Sequence, residues 1–276
     1  MQQFRGPTDP AGVRNRAVLV SVAQFDHWVE LQHRPGAKRD TKELHRTLSK
    51  LGFKVDIHNN LSSKEIDNLF RNESQRPVND CFLAVLSSHG EEGCVFGADG
   101  KPVQLSRIFK YFDNECMEKK AKMFLIQACR GEGLDDGVEV DSALDTSPES
   151  VLSSMYQSAP VDTLVMFATP PGYAAFSNPY GSVFLRTFCT LLQGEGNRNL
   201  ELTRLMTRLS HGVAHNFQAK GRDLAGKRQM PCLMTRMTRE VFPFAEARKD
   251  SGKAPGLSAS SLVHSDNFTT RTPSIS

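Results

Sequence analysis

Two side chains in this sequence could carry out covalent chemistry together. Cys129 follows an apolar run, residues 123–126, and precedes Arg130 and Gly131, so the stretch 122–131 reads as a buried strand that delivers a thiol to its own C-terminal end. A buried strand has no use for Gln127, Cys129 and Arg130 there; a nucleophile presented at a sheet edge does. A thiol attacks a carbonyl well only as thiolate, which needs a base or a cation beside it. His89, 40 residues earlier (129 minus 89), is the natural partner. It also follows an apolar run, residues 81–86, and its neighbours in Ser87-Ser88-His89-Gly90-Glu91-Glu92-Gly93 are small or polar. His89 would hold the thiolate and then protonate the leaving amine. Backbone N–H groups at Gly90 and Cys129 would form an oxyanion hole, since glycine places no side chain in the way.

The elements needed to position this pair can be read along the chain. Buried-type strands are predicted at 17–23, 53–57, 81–86, 122–128, 162–168 and 229–234, with a short last strand at 240–244. Helices are predicted between them. One starts at Asp40, read as an N-cap with Glu43 at the capping-box position. A second opens on the capping box Ser62-Ser63-Lys64-Glu65, and others cover 105–112, 184–192 and 200–217. Residues 94–103 read as a hairpin turning at Asp99-Gly100. Strand alternating with helix argues an α/β fold, a mostly parallel six-stranded sheet with helices on both faces. In such sheets chemistry collects outside the carboxyl ends of the strands, where both His89 and Cys129 fall.

Composition narrows the function classes. Hydrophobic residues make up 39% and charged residues 24%, the balance of a soluble globular chain. A net charge of +3 (34 basic minus 31 acidic) is too small to argue for nucleic acid, and no apolar run approaches the ~20 residues a membrane span needs. The N-terminal residues carry no secretory-type apolar core. Six scattered cysteines without a Cys-x-x-Cys pair point to a reducing, cytoplasmic setting. His211 and His215 have a spacing that suits a metal, but the Gly-Val-Ala between them lacks the Glu of a zinc-protease helix. No metal or other cofactor is expected. No Gly-x-Gly-x-x-Gly or phosphate-binding loop follows any predicted strand, which argues against a nucleotide-binding module. The chain divides into a short arm (1–15), a first region (16–134), an acidic, Ser-rich linker (135–160), a second region (161–244) and a polar tail (245–276).

Ser88 to Gly93 and Gln127-Ala128-Cys129-Arg130-Gly131-Glu132 together resemble the two catalytic motifs of caspases; the pentapeptide 127–131 is itself a recorded signature of that family. The resemblance covers roughly residues 16–244, and the short arm is similar to that of executioner-type members. It implies a three-layer caspase-like sandwich and a cysteine endopeptidase cutting protein substrates after Asp, with His89 and Cys129 as the dyad and apoptosis as the family default. Gln229-Met230-Pro231-Cys232 resembles the strand that pairs family dimers, which implies a homodimer or a heterodimer with a paralogous caspase. The family also implies activation by cleavage between subunits. Two sites in the linker place Asp before a small residue: Asp141, after Val138-Glu139-Val140, and Asp145, after Ala143-Leu144.

In the family two arginines and a glutamine hold the substrate aspartate. Arg34 in His33-Arg34-Pro35-Gly36 matches the first arginine and Gln127 the glutamine. The second arginine should lie in the loop after Pro171-Gly172-Tyr173, where this chain has Ser177; Ala174 and Val183 stand where aromatics are common, and Phe176 is the one aromatic wall left. Two readings follow: an active caspase of weakened or altered specificity, or a largely inactive homologue that regulates a competent caspase by binding it.

Overall fold

The computed structural model describes residues 14–135, 148–220 and 224–245. The first half runs β1 (Arg16–Ser21), α1 (Ala37–Lys50), β2 (Lys54–Asn59), α2 (Ser63–Glu73) and β3 (Cys81–Ser87). A small antiparallel sheet follows, β4 (Gly90–Glu91), β5 (Cys94–Phe96) and β6 (Pro102–Gln104), then α3 (Leu105–Tyr111) and β7 (Ala121–Gln127). The second half adds α4 (Pro148–Ser158), β8 (Thr163–Phe167), the two-residue strands β9 (Ser177–Asn178) and β10 (Gly181–Ser182), α5 (Val183–Gln193), α6 (Glu195–Arg198), α7 (Leu202–Asn216) and β11 (Cys232–Thr235).

Six strands form the central sheet in the order β11-β8-β7-β3-β1-β2; only β11 is antiparallel to its neighbour. Period-two alternation divides the strand residues between two apolar layers. Leu19, Leu83, Val85, Met123, Leu125 and Met166 pack with α1, α5 and α7 on one face. On the other, Val20, Phe82, Leu86, Phe124 and Phe167 pack with α2, α3 and α4. Each such buried side chain contributes about 1.5–3 kcal/mol, so the strands are clamped from both sides. This is the mostly parallel three-layer sandwich that the alternation of strand and helix predicts.

The predicted capping box is present: Ser62 N–H donates to the Glu65 carboxylate at 2.8 Å while Glu65 N–H donates back to Ser62 Oγ at 3.4 Å. Three expectations are corrected. Helix α1 begins at Ala37, with Gly36 at its N-cap, so Asp40 lies inside the first turn and is buried. Asp40 serves a partner distant in sequence instead: the Ser182 N–H donates to its two carboxylate oxygens at 2.8 and 3.1 Å. Residues 240–244 form no strand; Val241 and Phe244 are buried from a loop against the α1/α5/α7 face. Within the stretch read as linker, Pro148–Ser158 is helical and buries Met155.

Candidate active site

Parallel register sets up the site. In the β3–β7 pair Ser87 stands opposite Gln127. Each chain then runs two residues further, to His89 and Cys129, so imidazole and thiol leave the same sheet edge from adjacent strands. The Ser88 N–H donates to the Gln127 carbonyl at 3.1 Å and holds the two ends together. Gly90 lets them close up, because a Cβ there would lie 2.6 Å from the Cys94 carbonyl oxygen and 2.9 Å from the Ala128 Cβ. The Phe96 N–H donates to the His89 carbonyl at 2.9 Å, which places Gly90 and Val95 in a non-hydrogen-bonded pair; the Gly90 N–H therefore faces away from β5.

His89 is half-buried, with its Nε2 2.8 Å from the backbone carbonyl oxygen of Gln32. A carbonyl only accepts, so Nε2 carries the proton and, in the neutral ring, Nδ1 keeps its lone pair. Burial lowers the imidazole pKa below its ordinary value and nearby Arg34 lowers it further, against the opposing pull of the Gln32 carbonyl. Sequence reading missed Gln32, and no signal could have found it, since any residue offers a carbonyl. Cys129 is also half-buried. The Ala175 N–H points at its Sγ from 3.4 Å, tying the thiol to the loop that follows β8.

Arg34 reaches Ser87, which stands opposite Gln127 at the ends of these two strands. The Arg34 guanidinium is buried and donates to the Val22 carbonyl at 2.8 Å and to Ser87 Oγ at 2.9 Å, the serine opposite Gln127. Burial pulls its pKa down to about 10, with Asp40 and Cys129 acting to raise it, so it remains a cation at neutral pH. Gln127 is only 2% exposed, yet its Oε1 has no hydrogen-bond partner among the described residues. A buried amide oxygen is seldom left uncommitted.

Phe176 and Ser177 sit on the loop that touches Cys129 through Ala175. The Phe176 ring packs on Phe217 with centroids 5.2 Å apart. Ser177 is exposed on β9 and pairs with Ser182 on β10. The base of this hairpin rests on Gly36 and Asp40: a Cβ on Gly36 would lie 2.0 Å from the Asn178 carbonyl oxygen. Burial pushes the Asp40 carboxyl up to about 6, against the Ser182 hydrogen bonds and the charges of Arg34 and Arg186. A carboxyl raised on folding contributes stability at low pH that is lost as pH rises through about 6. Asp40→Asn, which keeps an acceptor for the Ser182 N–H, is therefore expected to stabilise the protein by an order of 2–3 kcal/mol at pH 8 and by little at pH 4. Urea denaturation at the two pH values checks this; equal effects at both would contradict it.

The two motif loops are further locked by Arg130. Its Nε and Nη2 form a bidentate pair with Glu92 at 3.0 and 2.6 Å, and its guanidinium lies 4.1 Å from the Phe167 ring centroid. Sequence reading saw both residues only as motif letters; their pairing depends on the β3–β7 contact. Beyond Arg130 the chain zips to the loop after β8, with Gly172 N–H donating to the Arg130 carbonyl and Gly133 N–H to that of Gly172, both at 2.9 Å. Gly131 has φ 153°, and a Cβ there would lie 2.4 Å from the Gly172 backbone. Thus His89, Gly90, Cys129, Arg34 and Gln127 converge at one sheet edge, and the loop bearing Phe176 and Ser177 reaches it through Ala175. Asp141 and Asp145 lie outside the described residues.

Residues 14–242 match the family described as the caspase domain. The chain is 34% identical over 235 residues to caspase-3 of Bos taurus, covering 82% of each chain. It is 30% identical over 236 residues to caspase-7 of Gallus gallus, covering 82% of this chain and 76% of that one. The crystal structure of caspase-1 from Spodoptera frugiperda superposes with a TM-score of 0.72 at 26% identity, over 88% of this chain and 99% of that one. A family match over most of the length, together with relatives at 30% and 34% identity and this sheet topology, shows that the chain belongs to the caspase family of cysteine peptidases.

Proposed function

We propose that this chain hydrolyses peptide bonds after aspartate through a Cys129–His89 dyad. The observation that carries the proposal is the β3–β7 register, which brings both side chains to one sheet edge above Arg34 and Gln127. With Nε2–H held by Gln32, Nδ1 of His89 takes the Sγ proton as the sulfur attacks the substrate carbonyl. The oxyanion forms against the N–H groups of Gly90 and Cys129. The imidazolium then gives its proton to the leaving amine, and water hydrolyses the thioester to free Sγ. Arg34 and the amide N–H groups of Gln127 donate to the substrate carboxylate, the pairing that charged hydrogen bonds favour. Ser177 offers a hydroxyl where the family's second guanidinium would stand, so discrimination for Asp is weakened. Because burial lowers the His89 pKa, the acid limb of kcat/KM belongs below the ordinary histidine value.

Two copies would pair along the outer edge of β11, where Leu233 and neighbouring Met230 are 37% and 48% exposed; a paralogous caspase could take the place of one copy. Activation would follow cleavage at Asp141, with Asp145 the lesser site. Asp141→Ala is expected to block processing of the intact chain, read by the N-terminal sequence of the smaller fragment; normal processing, with that fragment starting elsewhere, would show the site is wrong. The second reading, a homologue that acts by binding a competent caspase, draws on the altered loop: Ser177 in place of the second arginine, and Ala174 and Val183 where aromatics are common. A panel of fluorogenic tetrapeptides differing at the residue before the cut separates the two. Turnover that prefers Asp supports the peptidase. No turnover even after forced cleavage of the linker, with binding to a paralogous caspase, supports the second reading.

A further inference from the structure

We infer that Gln229 is a positioning residue that holds the substrate-binding loop at its working height beside Cys129. The inference rests on the peptidase reading above, but the geometry behind it is independent. Gln229 is 1% exposed and lies three residues before β11. Its Nε2 donates to the Ala168 carbonyl at 2.8 Å, just past the end of β8. Its Oε1 accepts the Phe176 N–H at 2.7 Å, one residue before Ser177. One amide thus spans the gap between a core strand and the loop, using one donor and one acceptor. No apolar side chain of that shape could satisfy both backbone groups, and a carboxylate could satisfy only the Phe176 N–H.

The surroundings give the bridge its purpose. Residues 174–176 belong to no helix or strand of their own. Ala174 N–H donates to the Gly133 carbonyl at 2.8 Å, Ala175 N–H points at Sγ of Cys129, and Phe176 N–H goes to Gln229. Three successive N–H groups are therefore fixed, two by the segment after β7 and the third by Gln229. The residue before Gln229 joins the same assembly: Arg228 N–H donates to the Asp135 carbonyl at 2.8 Å, downstream of the cysteine. Loss of the Gln229 bridge would free the middle of the loop while leaving the sheet, the dyad and the Arg130–Glu92 pair in place. The cost should appear in substrate binding rather than in the chemical step.

Two variants test this in the full-length, processed protein. Gln229→Leu removes both hydrogen bonds and strands two backbone groups; Gln229→Glu keeps the acceptor for Phe176 N–H and loses the donor to Ala168. For an Asp-ending tetrapeptide, KM is expected to rise about tenfold or more in the Leu variant and by less in the Glu variant, with kcat within about threefold of the unmodified protein. Hydrogen exchange at the Phe176 amide should be protected in the unmodified protein, partly so in Gln229→Glu and fast in Gln229→Leu, at a pattern of core-strand protection that is unchanged. Unchanged KM in both variants, or slow Phe176 exchange in Gln229→Leu, would overturn the inference. If the unmodified protein turns over no peptide, the peptidase reading fails, and the exchange measurement alone still decides whether Gln229 fixes the loop.

Discussion

Cys129→Ala is expected to reduce hydrolysis of Asp-ending peptides by about four orders of magnitude or more, and His89→Ala to do nearly the same. Both act in the same proton-coupled attack, so the double variant should be little worse than either single one; losses that multiplied would mean the two residues work in separate steps. KM should stay close to that of the unmodified protein, because the proposed mechanism gives substrate binding to Arg34 and Gln127 and not to the dyad. Stability should also hold. Cys129 is half-buried, its Sγ is hydrogen-bonded to the Ala175 backbone, and it belongs to neither apolar layer, so truncation leaves the two layers intact. Circular dichroism and steady-state kinetics on the same samples check both halves of this expectation.

Ser177→Arg is expected to raise kcat/KM toward Asp-ending substrates by about 10- to 150-fold. A hydrogen bond from a charged donor contributes about 1.5–3 kcal/mol, and each 1.4 kcal/mol is a factor of ten. Ser177 is exposed at the start of β9, so a guanidinium placed there need not displace core atoms. In the proposed pocket the guanidinium is that of Arg34, and the Val22 carbonyl and Ser87 Oγ already take two of its donors. A second fork would share the incoming carboxylate and offset its desolvation. The gain should be specific: peptides ending in Asn should improve far less than those ending in Asp. An unchanged or lower rate for Asp would mean that the loop carries its substrate contacts at another residue.

What the sequence made legible is what short-range pattern controls. Apolar runs ending in Ser87-Ser88-His89 and Gln127-Ala128-Cys129 predict strands that stop at chemistry, and the β3–β7 register shows the two ends level with each other. The Ser62–Glu65 capping box was readable for the same reason, since its partners are three residues apart. Features set by distant contacts were not. Asp40 looks like an N-cap from its neighbours, yet its hydrogen-bond partner is Ser182, 142 residues away. Helix α4 hides in a Ser-rich stretch with few apolar residues; Met155, Val151 and Leu152, packed on the α2/α3 face, are what mark it as part of the fold. Gln32 acts through a carbonyl that carries no sequence signature, and Glu92 finds Arg130 only once the sheet has formed.

The central claim is that Cys129 is the nucleophile that an Asp-bearing substrate reaches. A tetrapeptide ending in aspartyl chloromethyl ketone, incubated with the processed protein and followed by intact mass and peptide mapping, tests it directly. The expected result is a single adduct per chain, on Cys129, lost in Cys129→Ala, slowed in His89→Ala and slowed again when the terminal Asp of the reagent is replaced by Ala. Labelling spread over exposed Cys116 and other thiols at equal rates, or no adduct at Cys129, would contradict the account.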